Sequence, residues 1–592
     1  MKKFLIVFTS CFSIASVCFS QSIHMEESKH YSQLGIQADE YERVNKPSLL
    51  TQQARTANCN LNKIVFGWHP YWKNGFESNY QWNLLSHLCY FSYEVDYLTG
   101  NAKTTNSWST ANVVTQALAQ GKKVILCVTL FDDHETFFGN ATARQTLITN
   151  LIDLVQQRGA HGVNVDFEAM PSSQSANLTQ FMIDLSTQFH SSIPNSEISI
   201  ALPAVDWSNT FDVVAMNTGG VDQFFIMGYD YYYGGSSQAG PTDPLYTFVP
   251  SFNYNHSKSI TSYLNRGVPG NKLCLGLPYY GREWETQSSS VPSNTTGGFA
   301  SSRTYEYIRD NSSTYKNYQQ HPGSTSGYYV YQNSGKWRQC FINSPHTLGE
   351  RFEMVHMRGL AGIGIWALGY DDGYSDFWNQ IAEKLTDCYA SACTDTLYDM
   401  GGPAQNYYNN ENYTYTISPA GATFINVNFS SFSVEANYDT LWLYDGSNTD
   451  APLIGKYTGT NSPGNITTTT GSLTLRFKSD GATNFPGFMA RYTCNEMITA
   501  VPVTTNDDPL VVYPNPSNGR LSIQHRKPIS GIKMIDATGR QVQPIFANPH
   551  ENETESRYGL NLDLSNLPSG VYSLLIYSSQ MLVVRKIIVR EP

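Results

Sequence analysis

Seven consecutive residues, Gly162-Val163-Asn164-Val165-Asp166-Phe167-Glu168, carry the sharpest chemical signal in this chain of 592 residues. In a β-strand successive side chains point to opposite faces, so Asn164, Asp166 and Glu168 share one face and Val163, Val165 and Phe167 the other. The apolar face suits packing beneath helices. The polar face is poor core filling, because burying two carboxylates without a purpose is costly. Two carboxylates one strand period apart also repel, which raises the pKa of one of them. A carboxyl group kept protonated near neutrality can serve as a general acid. The heptad therefore predicts acid–base chemistry at the end of a strand.

Such a strand needs neighbours to hold it. Short apolar segments with strand character recur at 64–68, 85–93, 123–130, 162–168, 198–203, 223–230, 272–279 and 362–368. Helical patterns lie between them, as at 141–157 and 175–189. Eight strand–helix repeats over roughly 300 residues predict an α/β fold, a closed (β/α)8 barrel spanning 62–388. Active sites of such barrels are built at the C-terminal ends of the strands, where Glu168 falls. A stretch at about 283–344, rich in Ser, Tyr and Gly, separates the seventh and eighth strands. It is too long for a plain loop and predicts an inserted α+β subdomain.

The flanks have other characters. Met1-Lys2-Lys3, an apolar run to Phe19 and then small residues predict a signal peptide over 1–20. That run is too short for a membrane span, and no later segment reaches the needed length. Residues 21–61 are polar and without a clear period, and read as an N-terminal extension. Residues 393–494 alternate as strands between Gly, Asn, Ser and Thr turns and predict a β-sandwich. A polar linker over 495–509 precedes a smaller β unit over 510–592. Ten cysteines, two of them in the signal peptide, leave an even number in an oxidising setting. Cys393 and Cys494 bracket the sandwich and are the expected disulfide; the other pairings stay open.

Composition excludes some functions. Lys and Arg number 38 against 49 Asp and Glu, a net charge of −11, which argues against a nucleic-acid phosphate binder. With 41% apolar residues the chain is not a largely disordered one. The 39 Tyr, 29 Phe and 10 Trp suit surfaces that stack on uncharged rings such as sugars, and equally suit aromatic-rich strands and core.

The heptad resembles the D-x-x-D-x-D-x-E signature of glycoside hydrolase family 18, which includes chitinases and endo-β-N-acetylglucosaminidases. Met227-Gly228-Tyr229-Asp230 is similar to the family's M-x-Y-D. The run Leu275-Gly276-Leu277-Pro278-Tyr279-Tyr280-Gly281-Arg282 is similar to its G-x-P-x-Y-G-R. Gly364-Ile365-Trp366-Ala367-Leu368-Gly369-Tyr370-Asp371-Asp372 is similar to its W-x-L-G-x-D-D, and the insertion to its chitinase-insertion subdomain. The resemblance implies a secreted glycosidase that cleaves β-1,4 bonds at N-acetylglucosamine with retention, the substrate's own 2-acetamido oxygen attacking C1. It implies Glu168 as proton donor and Asp166 as the carboxylate that orients the acetamide N–H and balances the oxazolinium charge. Tyr229 would bond the acetamide oxygen. Met227, Asp230, Tyr280, Arg282 and Trp366 would bind substrate, Trp366 as the floor beneath the reacting sugar. The partner implied is chitin or another N-acetylglucosamine-containing glycan, with no cofactor for catalysis. The alternatives are a peptidoglycan- or N-glycan-directed β-N-acetylglucosaminidase of the same family, and a chitin-binding lectin or adhesin.

The chain departs from the signature where His161 replaces its first Asp and Asn164 its second. The third strand reads Cys127-Val128-Thr129-Leu130-Phe131 where the family is rich in Ser and Gly. His161 reads as a satisfied histidine at the strand start. Asn164 cannot titrate but is expected to donate a hydrogen bond that fixes Asp166. Residues 393–494 resemble a CUB domain, which implies Glu435, Asp439 and Asp480 as oxygen ligands of a calcium ion; ordinary solvated acids are the other reading. The last segment resembles the C-terminal sorting domain of the type IX secretion system, seen in Bacteroidetes-type bacteria. It implies that machinery as a partner and a secreted or cell-surface location.

Overall fold

The computed structural model describes residues 22–50, 59–496, 510–525, 529–535, 541–542, 545–547, 551–552, 557–578 and 581–590. The expected signal peptide and the linker from 497 onward lie outside the described residues. The chain divides into two units, one ending at Asn495 and one starting at Glu496.

The first unit is built on eight parallel strands: β1 (Ile64–Pro70), β2 (His87–Val95), β3 (Lys123–Leu130), β4 (Gly162–Phe167), β5 (Glu197–Pro203), β6 (Gln223–Met227), β7 (Leu273–Pro278) and β8 (Gly362–Trp366). Each pairs with the next, and β8 returns to β1, so the sheet closes into the expected barrel. The strands are buried on both faces, as helix-wrapped parallel strands are. On β4, Phe167 lies beneath the outer helices, stacked on Phe181 with ring centroids 5.8 Å apart. The helix Ala141–Arg158 starts at Asn140, whose side chain accepts the Ala143 N–H, and stops at Gly159 with φ +63°. β6 ends at Met227, short of the expected Asp230, because Asp230 adopts φ +56° and leaves the extended region.

The barrel interior depends on one close approach. A Cβ on Gly364 of β8 would lie 2.5 Å from the Trp68 ring. Only glycine lets that indole cross the interior toward β4.

The insertion is α+β, as expected. Its strands Tyr280–Thr286, Ser293–Thr304, Ser326–Asn333 and Lys336–Phe341 form an antiparallel sheet beside the helix Tyr305–Asp310. After the barrel, two four-stranded antiparallel sheets pack as a sandwich around Ile417, Ile425, Leu441, Leu443, Leu475 and Phe477. Cys393 and Cys494 are disulfide-bonded, as expected. A second disulfide, Cys59–Cys388, ties the start of the barrel to its end. Cys89, Cys127, Cys274 and Cys340 are buried free thiols, so the even count does not mean full pairing; they act as small apolar residues of the interior. The second unit has two antiparallel sheets around Leu521, Ile523, Leu562, Leu574 and Ile587.

The N-terminal extension is helical rather than irregular: α1 (Ile23–Gln33) and α2 (Ala38–Val44). Its residues show no apolar stripe because the surface they cover is itself polar and aromatic. His24 and Glu27 are buried beside Ile23.

Replacing Gly364 by Ala should lower the unfolding free energy by about 1–3 kcal/mol through overpacking. Denaturant midpoints of the two proteins test this, and an unchanged midpoint would mean that Trp68 has room to move.

Candidate active site

Strand alternation places Asn164 and Asp166 on the interior face of β4, with Glu168 at its C-terminal end. Ala169 follows at φ +54°, a left-handed conformation that turns the chain away from the strand. Asp166 is fully buried and Glu168 is 6% exposed.

Asn164 does not fix Asp166. Its Oδ1 accepts the Trp68 Nε1–H at 3.0 Å, and its Nδ2 donates to Ser199 Oγ at 2.9 Å. The indole is a donor only, so it claims the amide oxygen and turns the NH2 group toward Ser199. His161 is satisfied at the strand start, its Nδ1 accepting the Val124 N–H at 3.0 Å.

The partner of Asp166 comes from the other end of the sequence. His24 Nδ1 lies 2.8 Å from Asp166 Oδ2 and 3.2 Å from Glu168 Oε1. Its Nε2 lies 2.8 Å from the Tyr229 hydroxyl. The ring covers Trp366, with centroids 3.7 Å apart, and meets Phe91 edge-on at 5.9 Å. Burial would lower the imidazole pKa, but the charge and hydrogen bond of Asp166, joined by Glu168, hold it at about 10. His24 is therefore an imidazolium at neutral pH, donating to Asp166 from one nitrogen and to Tyr229 from the other. Burial, then the charge of Asp166, pushes Glu168 above the usual carboxylate range. Asp166 Oδ1 is buried without a hydrogen-bond partner.

The remaining expected residues surround the same point. Asp230 Oδ1 accepts the Tyr280 hydroxyl at 2.8 Å, and Asp230 Oδ2 accepts the Ile23 N–H at 2.9 Å. Arg282 lies 3.6 Å from Asp230 and holds both oxygens of Glu26, at 3.1 and 2.8 Å. Burial, offset by Arg282, raises the Asp230 pKa. Met227 is half-buried against the core. Trp366 Nε1 donates to Glu27 Oε2 at 3.0 Å, and the Tyr370 hydroxyl donates to the same oxygen at 2.7 Å. Burial pushes Glu27 up to about 7. Asp166, Glu168, Tyr229, Asp230, Tyr280, Arg282 and Trp366 thus converge, with Asn164 one strand period deeper. A sequence reading misses His24, Glu26 and Glu27, because nothing local in a polar extension announces a contact 142 residues away.

Among the described residues three groups of donors lie within 4.8 Å of one another: His24 with Asp166 and Glu168; Glu435 with Asp439 and Asp480; and Cys59 with Asp387 and Cys388. The thiols of the third are spent in a disulfide. In the first, the His24 Nδ1–H donates to Asp166, and the same nitrogen lies 3.2 Å from Glu168 Oε1. In the second, Asp439 accepts the Asp480 N–H at 2.8 Å and the Tyr407 hydroxyl, while Glu435 Oε2 is buried with no hydrogen-bond partner. A cavity of about 660 Å³ lies away from Asp166 and Glu168, lined by Cys59, Asn60, Leu85, Ser86, His87 and Lys123 at the start of the strands.

Residues 65–371 match the model of the glycosyl hydrolases family 18, residues 390–492 that of the CUB domain, and residues 511–590 that of the secretion system C-terminal sorting domain. The chain is 28% identical over 164 residues to chitinase C of Streptomyces lividans, covering 27% of this chain and 26% of that protein. It is 24% identical over 279 residues to chitotriosidase-1 of Mus musculus, covering 40% and 56%. The chain thus spans between a quarter and just over half of the length of these curated relatives. A solved class V chitinase from Nicotiana tobaccum is similar with a TM-score of 0.49 at 19% identity, over 55% of this chain and 100% of that one. The sorting domain directs the chain to the cell surface or the extracellular space. Among the described residues no helix is long and apolar enough to cross a membrane.

The Glu168 carboxyl should remain protonated above the usual glutamate value and ionise only as the pH rises through its raised pKa. Infrared difference titration against a Glu168→Gln variant reads that band directly. An ionisation at the ordinary value of 4.5 would contradict the assignment of burial and Asp166 as causes.

Proposed function

Because the chain belongs to the glycosyl hydrolases family 18, we propose that it is an exported chitinase-like glycosidase that cleaves β-1,4 bonds next to N-acetylglucosamine with retention of configuration. The observation that carries this reading is the pair Asp166 and Glu168, buried on one strand face beside the Tyr229 hydroxyl and the Trp366 ring.

Glu168, kept protonated by its surroundings, gives its proton to the departing glycosidic oxygen. The acetamide oxygen of the bound sugar attacks C1 as that bond breaks, forming a cyclic oxazolinium ion. Asp166 accepts the acetamide N–H and balances the positive charge that develops next to it. The Tyr229 hydroxyl donates to the acetamide oxygen and aims it at C1. Trp366 offers its face to the C–H side of the reacting sugar, while Asp230, Tyr280 and Arg282 meet its hydroxyl edge and Met227 packs on the acetyl methyl. Water then adds to C1 from the side the leaving group vacated. The Glu168 carboxylate takes its proton, and the two inversions leave the configuration unchanged. The protein's own groups carry every proton in this sequence.

The inserted α+β subdomain would raise one wall of a binding groove, which would favour a chain-like glycan such as chitin. In the CUB domain, Glu435, Asp439 and Asp480 would hold a calcium ion; hard carboxylate oxygens and the unpartnered Glu435 Oε2 fit that cation. The domain's role would be adhesion or glycan binding. The type IX secretion machinery would be the partner that reads residues 511–590.

Glu168→Gln should reduce turnover of chitin oligosaccharides by about 10²–10⁴-fold while the circular dichroism spectrum stays unchanged; substantial remaining activity would remove Glu168 as the acid. Parallel digests of chitin oligosaccharides, peptidoglycan and a high-mannose glycopeptide should yield products, initially β-anomers, from the first. Release from either of the others alone would reassign the substrate. Calcium should raise the Tm of the full chain, and Asp439→Asn should abolish that rise; an equal rise in both proteins would place any bound calcium elsewhere.

A further inference from the structure

Asp166, Glu168, Tyr229, Asp230, Arg282 and Trp366, which would handle substrate, are engaged by the chain's own N-terminal segment. Ile23 and His24 are fully buried. α1 enters the mouth of the barrel N-terminus first, and Ser22 caps it by accepting the His24 N–H at 3.1 Å. Its backbone N–H at Ile23 takes Asp230, Glu26 takes Arg282 in a two-pronged contact, and Glu27 takes the indole N–H of Trp366. The segment then continues along the rim. Tyr31 stacks on Trp72 at 4.5 Å and 9°, a parallel arrangement like that of a sugar on an aromatic platform. Tyr41 packs on Tyr71, Glu42 accepts the Asn112 N–H at 2.7 Å, and Asn45 donates to the Trp72 and Asn74 carbonyls.

The centre of this contact copies the shape and charge of the proposed intermediate, with the hydrogen bond at Tyr229 reversed because a ring N–H stands where the oxazolinium has its oxygen. An oxazolinium is a five-membered cationic ring with an N–H on one side and an oxygen on the other. In the site its N–H would face Asp166 and its oxygen would face Tyr229, over Trp366. The His24 ring is five-membered, presents Nδ1–H to Asp166 and Nε2 to Tyr229, and lies on Trp366. We infer that residues 22–44 form an autoinhibitory segment, the His24 ring filling the place of the oxazolinium, so that the chain is latent until this segment leaves the groove. The inference rests on the family 18 reading for the identity of the subsite.

The energetics favour strong inhibition by a modest contact. A tethered segment acts at a high effective concentration, so a contact that is weak between separate molecules is strong within one chain. Substrate binds only the open fraction, so an open population of about 1% raises the apparent KM about 100-fold. The segment precedes Cys59, which a disulfide to Cys388 locks to the barrel. Chain scission before Cys59 would leave the segment held by non-covalent contacts alone.

The test compares the full chain with two full-length variants, His24→Ala and Glu26→Ala/Glu27→Gln, none of which alters the proposed catalytic groups. Two quantities are read: kcat/KM on N-acetylglucosamine oligosaccharides, and labelling of Asp166 and Glu168 by a water-soluble carbodiimide with an amine, followed by mass spectrometry. His24→Ala should raise kcat/KM at least tenfold, chiefly through KM, and raise the labelling in parallel. The Glu26/Glu27 variant should move both in the same direction by a smaller factor. A synthetic peptide of residues 22–44 should restore inhibition to His24→Ala. Equal labelling in the wild type and both variants would overturn the inference, as would raised labelling with an unchanged kcat/KM in active enzymes. Raised labelling with no turnover by any of the proteins would support occlusion of the carboxylates and reject the glycosidase reading instead.

Discussion

Two carboxylates buried side by side on one strand face require a positive charge. At an effective dielectric constant of 20, two unit charges 4 Å apart interact by about 4 kcal/mol, and the repulsion comes on top of the cost of desolvating each carboxylate. Asp166 and Glu168 meet that requirement through a Glu168 pKa raised by burial and then by the charge of Asp166, and through one cation held against Asp166. During the proposed reaction the cation is the sugar's own oxazolinium. In the resting chain it is the imidazolium of His24. A site arranged to stabilise a transient charge also binds a permanent charge of the same shape, and the N-terminal helix supplies one.

The rest of the barrel holds this charge pattern in place. Gly364 makes room for Trp68, Trp68 orients Asn164, and Asn164 reaches across to Ser199, which ties β1, β4 and β5 together beneath the carboxylates. Above them, Tyr280 and Arg282, which follow β7, fix Asp230 three residues past the end of β6. None of these groups needs to titrate. They keep the interior polar layer satisfied, so that the charged groups at the mouth hold one geometry.

The sequence was informative where local rules and global fold agree. The alternation in Gly162–Glu168 told which residues face inward, because a strand has only two faces and one of them was apolar. Eight such strands with helices between them implied closure into a barrel, and the motif residues then fell at the strand ends. It was uninformative where a long-range partner decides the outcome. Asn164 could bond Asp166 on any local view, and the indole of Trp68, 96 residues earlier, redirects it. Gln223–Asp230 reads as a continuous strand, but the left-handed turn at Asp230 ends it early. The free thiols of Cys89, Cys127 and Cys274 could not be told from disulfide partners by counting. Residues 22–44 lacked an apolar stripe because their burial is against carboxylates, an arginine and indoles rather than against an oily core.

The account turns on a cation placed by the chain itself between Asp166 and Tyr229. The measurement that reaches it most directly is the ¹⁵N spectrum of the His24 ring in the full-length protein between pH 6 and 8. Both ring nitrogens should carry protons throughout that range, in keeping with a pKa of about 10. A neutral His24 ring, or one that titrates near 6.5 like a histidine in water, would contradict the account.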